Sequence, residues 1–305
     1  MDYILQFLLI LLLVVLACTK TTIQSRMSRR HIRCTQDSVL FNAMMFAAIA
    51  LCVAILFPMS AITPQIVGYA AMVAVSTTVF QTTYSVALST GSVSLTVLIA
   101  NFNVLITTAS SVLIFKESLY YTQLIGILFL VASMFLSVDN SGDYHKVNWK
   151  WLALSVTAMV TSGLGSCIQK FFGRTAGASQ QGTDAAFLFI NYLLASLIAF
   201  AMYFIGSRFG KREKSTFGFN KHVLLYALAT GLTLSIYQKF YMYGMAHIDG
   251  TFMFPTLAGA SSVGMSIIGV VMFRDSLSKR QWLGILCGIA CVALMNLRIG
   301  GFIQL

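Results

Sequence analysis

Phe115-Lys116-Glu117-Ser118-Leu119, followed by Gln123-Leu124-Ile125-Gly126-Ile127-Leu128, returns 158 residues later as Phe273-Arg274-Asp275-Ser276-Leu277, followed by Gln281-Trp282-Leu283-Gly284-Ile285-Leu286. The offset is about half of a 305-residue chain, and nothing is inserted inside the matched stretch. Each copy ends one apolar run, turns on a basic, an acidic, a Ser and a Leu residue, and starts a second apolar run that opens on Gln and Gly. Internal duplication in a membrane chain marks many transporter folds, whose binding site lies between the repeats.

Composition places the chain in a bilayer. Hydrophobic residues make up 58% and charged residues only 10%, against about 25% charged in a soluble domain. Mean hydropathy is +0.82. Ten apolar stretches can be drawn, at 3–19, 38–58, 65–88, 92–115, 121–139, 149–172, 185–206, 222–246, 251–273 and 281–297. Each approaches or exceeds the length that crosses about 30 Å of hydrocarbon at 1.5 Å per residue. Helices are expected, because unpaired backbone groups in lipid cost several kcal/mol each. The first stretch is followed, not preceded, by its basic cluster, which is the wrong polarity for a cleaved signal peptide. It is expected to be a first transmembrane helix with its N-terminus outside.

Ten spans place both termini on one side. The loops at 20–37, 89–91, 140–150, 207–221 and 274–280 then share a face and hold fifteen Lys and Arg residues, whereas the opposite face holds four, Lys116, Lys170, Arg174 and Arg298. The positive-inside rule makes the rich face cytoplasmic and both termini extracytoplasmic, in a plasma (inner) membrane. The formal charge of +11 is thus a matter of topology, and no nucleic-acid partner is expected. Cys52, Cys167, Cys287 and Cys291 lie within apolar runs and show no metal-ligand spacing, so no metal or cofactor is implied.

The offset maps span 65–88 onto 223–246, 92–115 onto 250–273 and 121–139 onto 279–297, with the first two spans aligning only through gaps. The expected architecture is all-α, ten transmembrane helices as two five-helix repeats, residues 1–145 and 146–305. An odd number of spans per repeat inverts the second relative to the first.

The apolar span, Phe-Lys-Glu-Ser-Leu turn and Gln-x-x-Gly-Ile-x-Leu opening, present twice, resemble the EamA-type transporters of the drug/metabolite transporter superfamily. Pro255, early in the ninth span, also resembles a feature of that motif. The first copy departs from it with Val97 where the second has Pro255, and the second carries Asp275 where a glutamate is usual. The resemblance implies a ten-helix carrier with a central cavity for small organic solutes, and no enzymatic activity.

Ionisable residues deep in a span each cost a few kcal/mol at mid-bilayer and so mark functional sites. Lys239 is the clear case, with Ser235 and Tyr243 one turn to either side. The first repeat places Gln81 at the equivalent position, flanked by Thr77 and Ser85. A cavity wall follows, in which Lys239, Tyr243, Ser235 and Gln81 contact substrate and Lys239 meets a carboxylate or phosphate. Asn103 and Asn191 are further substrate-binding candidates, although asparagines also join helices. Lys170 is expected to snorkel to the headgroups. Glu117 and Asp275 are expected to be charges that fix the two turns.

These residues point to a secondary transporter moving a small polar, anionic or zwitterionic organic metabolite by alternating access. A polyspecific exporter of lipophilic compounds is the alternative, and a non-transporting membrane scaffold a third. Coupling ion, transport direction and oligomeric state are left open.

Overall fold

The computed structural model describes residues 3–31, 35–90, 96, 99–137, 149–175, 181–209, 221–273, 278–297 and 302–303. Ten helices account for nearly all of them. In chain order these are α1 (Tyr3–His31), α2 (Thr35–Leu56), α3 (Pro64–Thr90), α4 (Asn103–Leu113), α5 (Tyr121–Ser137), α6 (Trp149–Thr175), α7 (Thr183–Phe209), α8 (Lys221–His247), α9 (Gly250–Phe273) and α10 (Lys279–Asn296). Among the described residues, six stretches, in α1, α2, α3, α6, α7 and α9, are long and apolar enough to cross a membrane. The helices α4 and α5 are shorter, with 11 and 17 residues. At 27 residues α8 has the length, but it carries the polar stripe around Lys239.

Helix ends gather at two ends of the bundle. At one end, the N–H of Ser60, just beyond α2, donates to the Gly182 carbonyl before α7 at 3.2 Å. Leu119–Tyr120 (β1), after α4, pairs antiparallel with Phe302–Ile303 (β2) there, with Leu119 opposite Ile303. At the other end Ser38 of α2 donates to Ser85 of α3 at 3.0 Å, and Arg280 of α10 donates to the Phe135 carbonyl of α5 at 3.1 Å. The turn after α4 and the start of α10, equivalent in sequence, thus lie at opposite ends.

The helices pack as pairs. The closest are α2 with α7, α5 with α10, and α3 with α6, followed by α2 with α8, α3 with α7, and α1 with α8. Apolar side chains gain little by leaving lipid, so such contacts rest on close fit. One packed core runs through α2, α3, α6, α7 and α8, where Phe172 and Phe187 stack with ring centres 4.2 Å apart. A second joins α1, α4, α5, α9 and α10. Both draw helices from each sequence half.

The repeated glutamine has a local structural cause. The Gln123 side chain accepts from the Tyr120 N–H at 3.1 Å, and Gln281 accepts from the Ser278 N–H at 2.9 Å. In the second copy the Ser278 hydroxyl in turn accepts from the Gln281 N–H, completing a capping box. This explains why a polar residue persists at the head of two otherwise apolar helices.

Candidate functional site

Lys239 points into the protein. Its ammonium reaches both carboxylate oxygens of Asp184, in the first turn of α7, at 2.6 Å, and lies 5.5 Å from the centre of the Phe57 ring. The Lys239 and Asp184 side chains are 24% and 23% exposed, so the pair is only partly enclosed by protein. Asp184 also accepts from the Ala185 N–H at 2.9 Å, an interaction its place at a helix N-terminus favours. The tight turn before it requires Gly182, whose φ is +88° and whose missing Cβ would strike the Pro58 carbonyl.

The neighbourhood of the pair is aromatic and amphipathic. Gln238 donates to the Tyr192 hydroxyl at 2.6 Å. Tyr237 and Tyr241 stack with centres 5.4 Å apart, and Tyr192 packs beside Phe46. Ser235 lies one turn deeper than Lys239, buried and donating to the Leu232 carbonyl. The side chain of Asn191 is fully buried, and neither its oxygen nor its nitrogen finds a partner, a costly state for an amide.

Three residues expected at the site stand elsewhere or act differently. Tyr243 is 43% exposed and stacks on His247 at the surface, so it does not join Lys239. Asn103 donates to Ser162 of α6 at 2.6 Å, the helix-joining role of asparagine. Gln81 is half-buried on α3. A groove of about 220 Å³ between α3 and α7, lined by Val75, Thr78, Thr82, Ile198 and Met202 among others, lies apart from these residues.

A second charged cluster corrects one expectation and extends another. Lys170 does not snorkel: its side chain is 0% exposed, 2.6 Å from Glu117 Oε1 and 2.8 Å from the Ser111 hydroxyl. Glu117, expected as a helix N-terminal or loop charge that fixes its turn, is also buried, with only 3% of its side chain exposed. Arg174, one turn beyond Lys170, also meets Glu117 Oε1 at 2.6 Å. The other carboxylate oxygen accepts from the Gly250 and Thr251 N–H groups at 2.6 and 3.2 Å, capping α9. Burial of the lysine is possible because carboxylate, hydroxyl and the Phe115 ring, 4.7 Å away, replace its water. A sequence signal was there: two cations one turn apart at the end of an apolar helix need an anion. Its counterpart in the second turn, Asp275, lies outside the described residues.

Comparison with known proteins accords with this layout. Residues 5–138 are similar to the EamA-like transporter family. No curated protein matches the chain. Among solved structures, a chain described as "Crystal structure of protein" is similar with a TM-score of 0.75 at 14% identity, over 97% of both chains. At that identity the likeness shows a shared fold, and it extends over both halves. The apolar helices, together with this match, support an integral, multi-pass membrane protein.

Proposed function

We propose that this chain, with its EamA-like first half, works as a secondary carrier for a small zwitterionic organic metabolite. Two inverted five-helix repeats, residues 1–145 and 146–305, move about a site between them. The packing supports this layout: exchanging α1–α5 for α6–α10 turns the α3–α6 contact into α8–α1 and the α2–α8 contact into α7–α3, all of which occur. Alternation of helix ends supports ten crossings, with the basic end in the cytoplasm of a plasma membrane and both termini outside.

One observation carries the substrate class, the partly exposed Lys239–Asp184 pair. The sequence offered a lone cation, which would favour any anion. A facing carboxylate changes this, because an anion that takes Lys239 leaves Asp184 bare in a medium of low dielectric. A zwitterion satisfies both, its anionic group on Lys239 and its cationic group on Asp184. Ser235 then lies one turn deeper on α8, with Asn191 as an unsatisfied amide deeper on α7.

The test is thermal unfolding of purified protein with zwitterionic, anionic, cationic and neutral metabolites of similar size. A ligand at 100 times its Kd adds about 2.7 kcal/mol. Zwitterions should stabilise the wild type, with Lys239→Met and Asp184→Asn each abolishing the shift and Lys239→Arg keeping part of it. A shift from anions alone, undiminished in Asp184→Asn, would overturn the assignment. Topology is checked separately by reporters: one fused after Leu305 should read extracytoplasmic and one inside 207–221 cytoplasmic. The apolar groove between α3 and α7 favours a second reading, export of lipophilic compounds. Stabilisation by apolar ligands, insensitive to Lys239→Met, would select it.

A further inference from the structure

We propose that the Glu117–Lys170–Arg174 cluster is a gate that seals the β1–β2 end of the bundle and parts when the carrier opens to that side. This rests on the carrier reading above.

Every polar contact of the Glu117 side chain crosses from the first sequence half to the second. Lys170 and Arg174 come from α6, and the two N–H groups come from the start of α9. A single carboxylate therefore ties the turn after α4 to two helices of the other repeat. Rocking of one half against the other strains all four contacts at once.

The cluster is graded as a gate requires. Its inner members, Lys170 and Glu117, are dry, whereas Arg174 is 27% exposed and reaches the half-exposed Asp249 at 3.6 Å. It is also incompletely satisfied, since the Arg174 Nε is buried and finds no acceptor. Buried ion pairs add little net stability compared with apolar packing, whereas losing one partner is costly. Such a contact suits an element that is either fully made or fully hydrated. Gly250 keeps the closure tight, because a Cβ there would collide with Lys170 Nζ and Ser111 Oγ.

The cluster is joined to the proposed substrate pair by a short path. Between α8 and α9 only Ile248 and Asp249 intervene, and the Ile248 N–H still bonds the Gly244 carbonyl at 2.8 Å. A shift of α8 around an occupied Lys239 is thus delivered directly to the N–H groups that Glu117 holds.

The experiment needs no substrate. A cysteine at position 107, one buried turn deeper on α4 than Ser111, reports access when the six native cysteines are replaced. Protein reconstituted in liposomes is labelled with a membrane-impermeant maleimide from either side. Glu117→Gln should raise the labelling rate from the β1–β2 side at least tenfold, and Arg174→Gln, at the wet rim, severalfold, with no rise from the opposite side. Should Glu117→Gln fail to fold, Arg174→Gln carries the test. Unchanged labelling in folded variants, or an equal rise from both sides, overturns the gate and makes the cluster a staple. Because the ligand-induced shift at Lys239 is measured independently, loss of the gate leaves the carrier reading standing. Loss of that shift with gated labelling intact would reject the substrate site alone.

Discussion

Lys170 and Lys239 carry the same charge, and each meets a carboxylate from another element at 2.6 Å, yet their surroundings differ. Lys170 is sealed, with a hydroxyl and an aromatic ring completing its shell, and its carboxylate is shared with an arginine and a helix N-terminus. Lys239 is only partly enclosed, and its carboxylate has one further bond, to its own helix. The ion pair is therefore uninformative by itself; its enclosure decides its use. A sealed pair with four contacts holds elements together or releases them as a unit. A partly open pair can exchange its partners for a ligand that supplies both charges.

Stability measurements should separate the two lysines most sharply. Lys170→Met leaves Glu117 buried against fewer charges, and removal of one partner from a buried pair costs about 3–5 kcal/mol. Arg174 and the α9 N–H groups remain, so the lower end is expected in chemical unfolding in detergent. A loss under about 1 kcal/mol would mean that Glu117 escapes to water, and the sealed half of the comparison would fall. Gly250→Ala attacks the same place through shape. Its Cβ would meet the Lys170 ammonium and the Ser111 hydroxyl, and overpacking of this kind costs about 1–3 kcal/mol. Lys239→Met, by contrast, should change unfolding by no more than about 1 kcal/mol, as for partly solvated pairs, although it removes the ligand response.

How much of this was legible in sequence follows the same division. The repeat, the helical spans and the depth of Lys239 could be read because each is a local pattern or a fixed offset. Asp184 was not recognised as the partner of Lys239, because 55 residues separate them and a carboxylate at the start of a span resembles an ordinary helix-end charge. The partners of Glu117 were missed for the same reason, since it follows Lys116 in a turn and they lie 53 and 133 residues away. Lys170 near the end of an apolar run could equally have been reaching for headgroups; only packing from α4 and α9 closes that route. Tyr243 shared a helical face with Lys239 by spacing, but its ring stacks on His247 at the surface.

The repeated glutamine offers the smallest and cleanest version of the comparison, since here the sequence is matched and only the surroundings differ. Gln123 is buried, and its oxygen satisfies the part-buried Tyr120 N–H, whereas the Ser278 N–H bonded by Gln281 lies at the exposed start of α10. Removing an acceptor strands a buried donor, at about 1–3 kcal/mol, whereas water replaces it at an exposed one. Gln123→Ala should therefore cost about 1 kcal/mol and Gln281→Ala only about 0.3 kcal/mol. The two sit at opposite ends of the bundle, so the double variant should lose the sum of the single losses to within about 0.5 kcal/mol. Equal losses in thermal unfolding would show that burial does not set the value of these bonds. A strongly non-additive double variant would show that α5 and α10, which pack along one another, pass the loss of a cap from one end of the fold to the other.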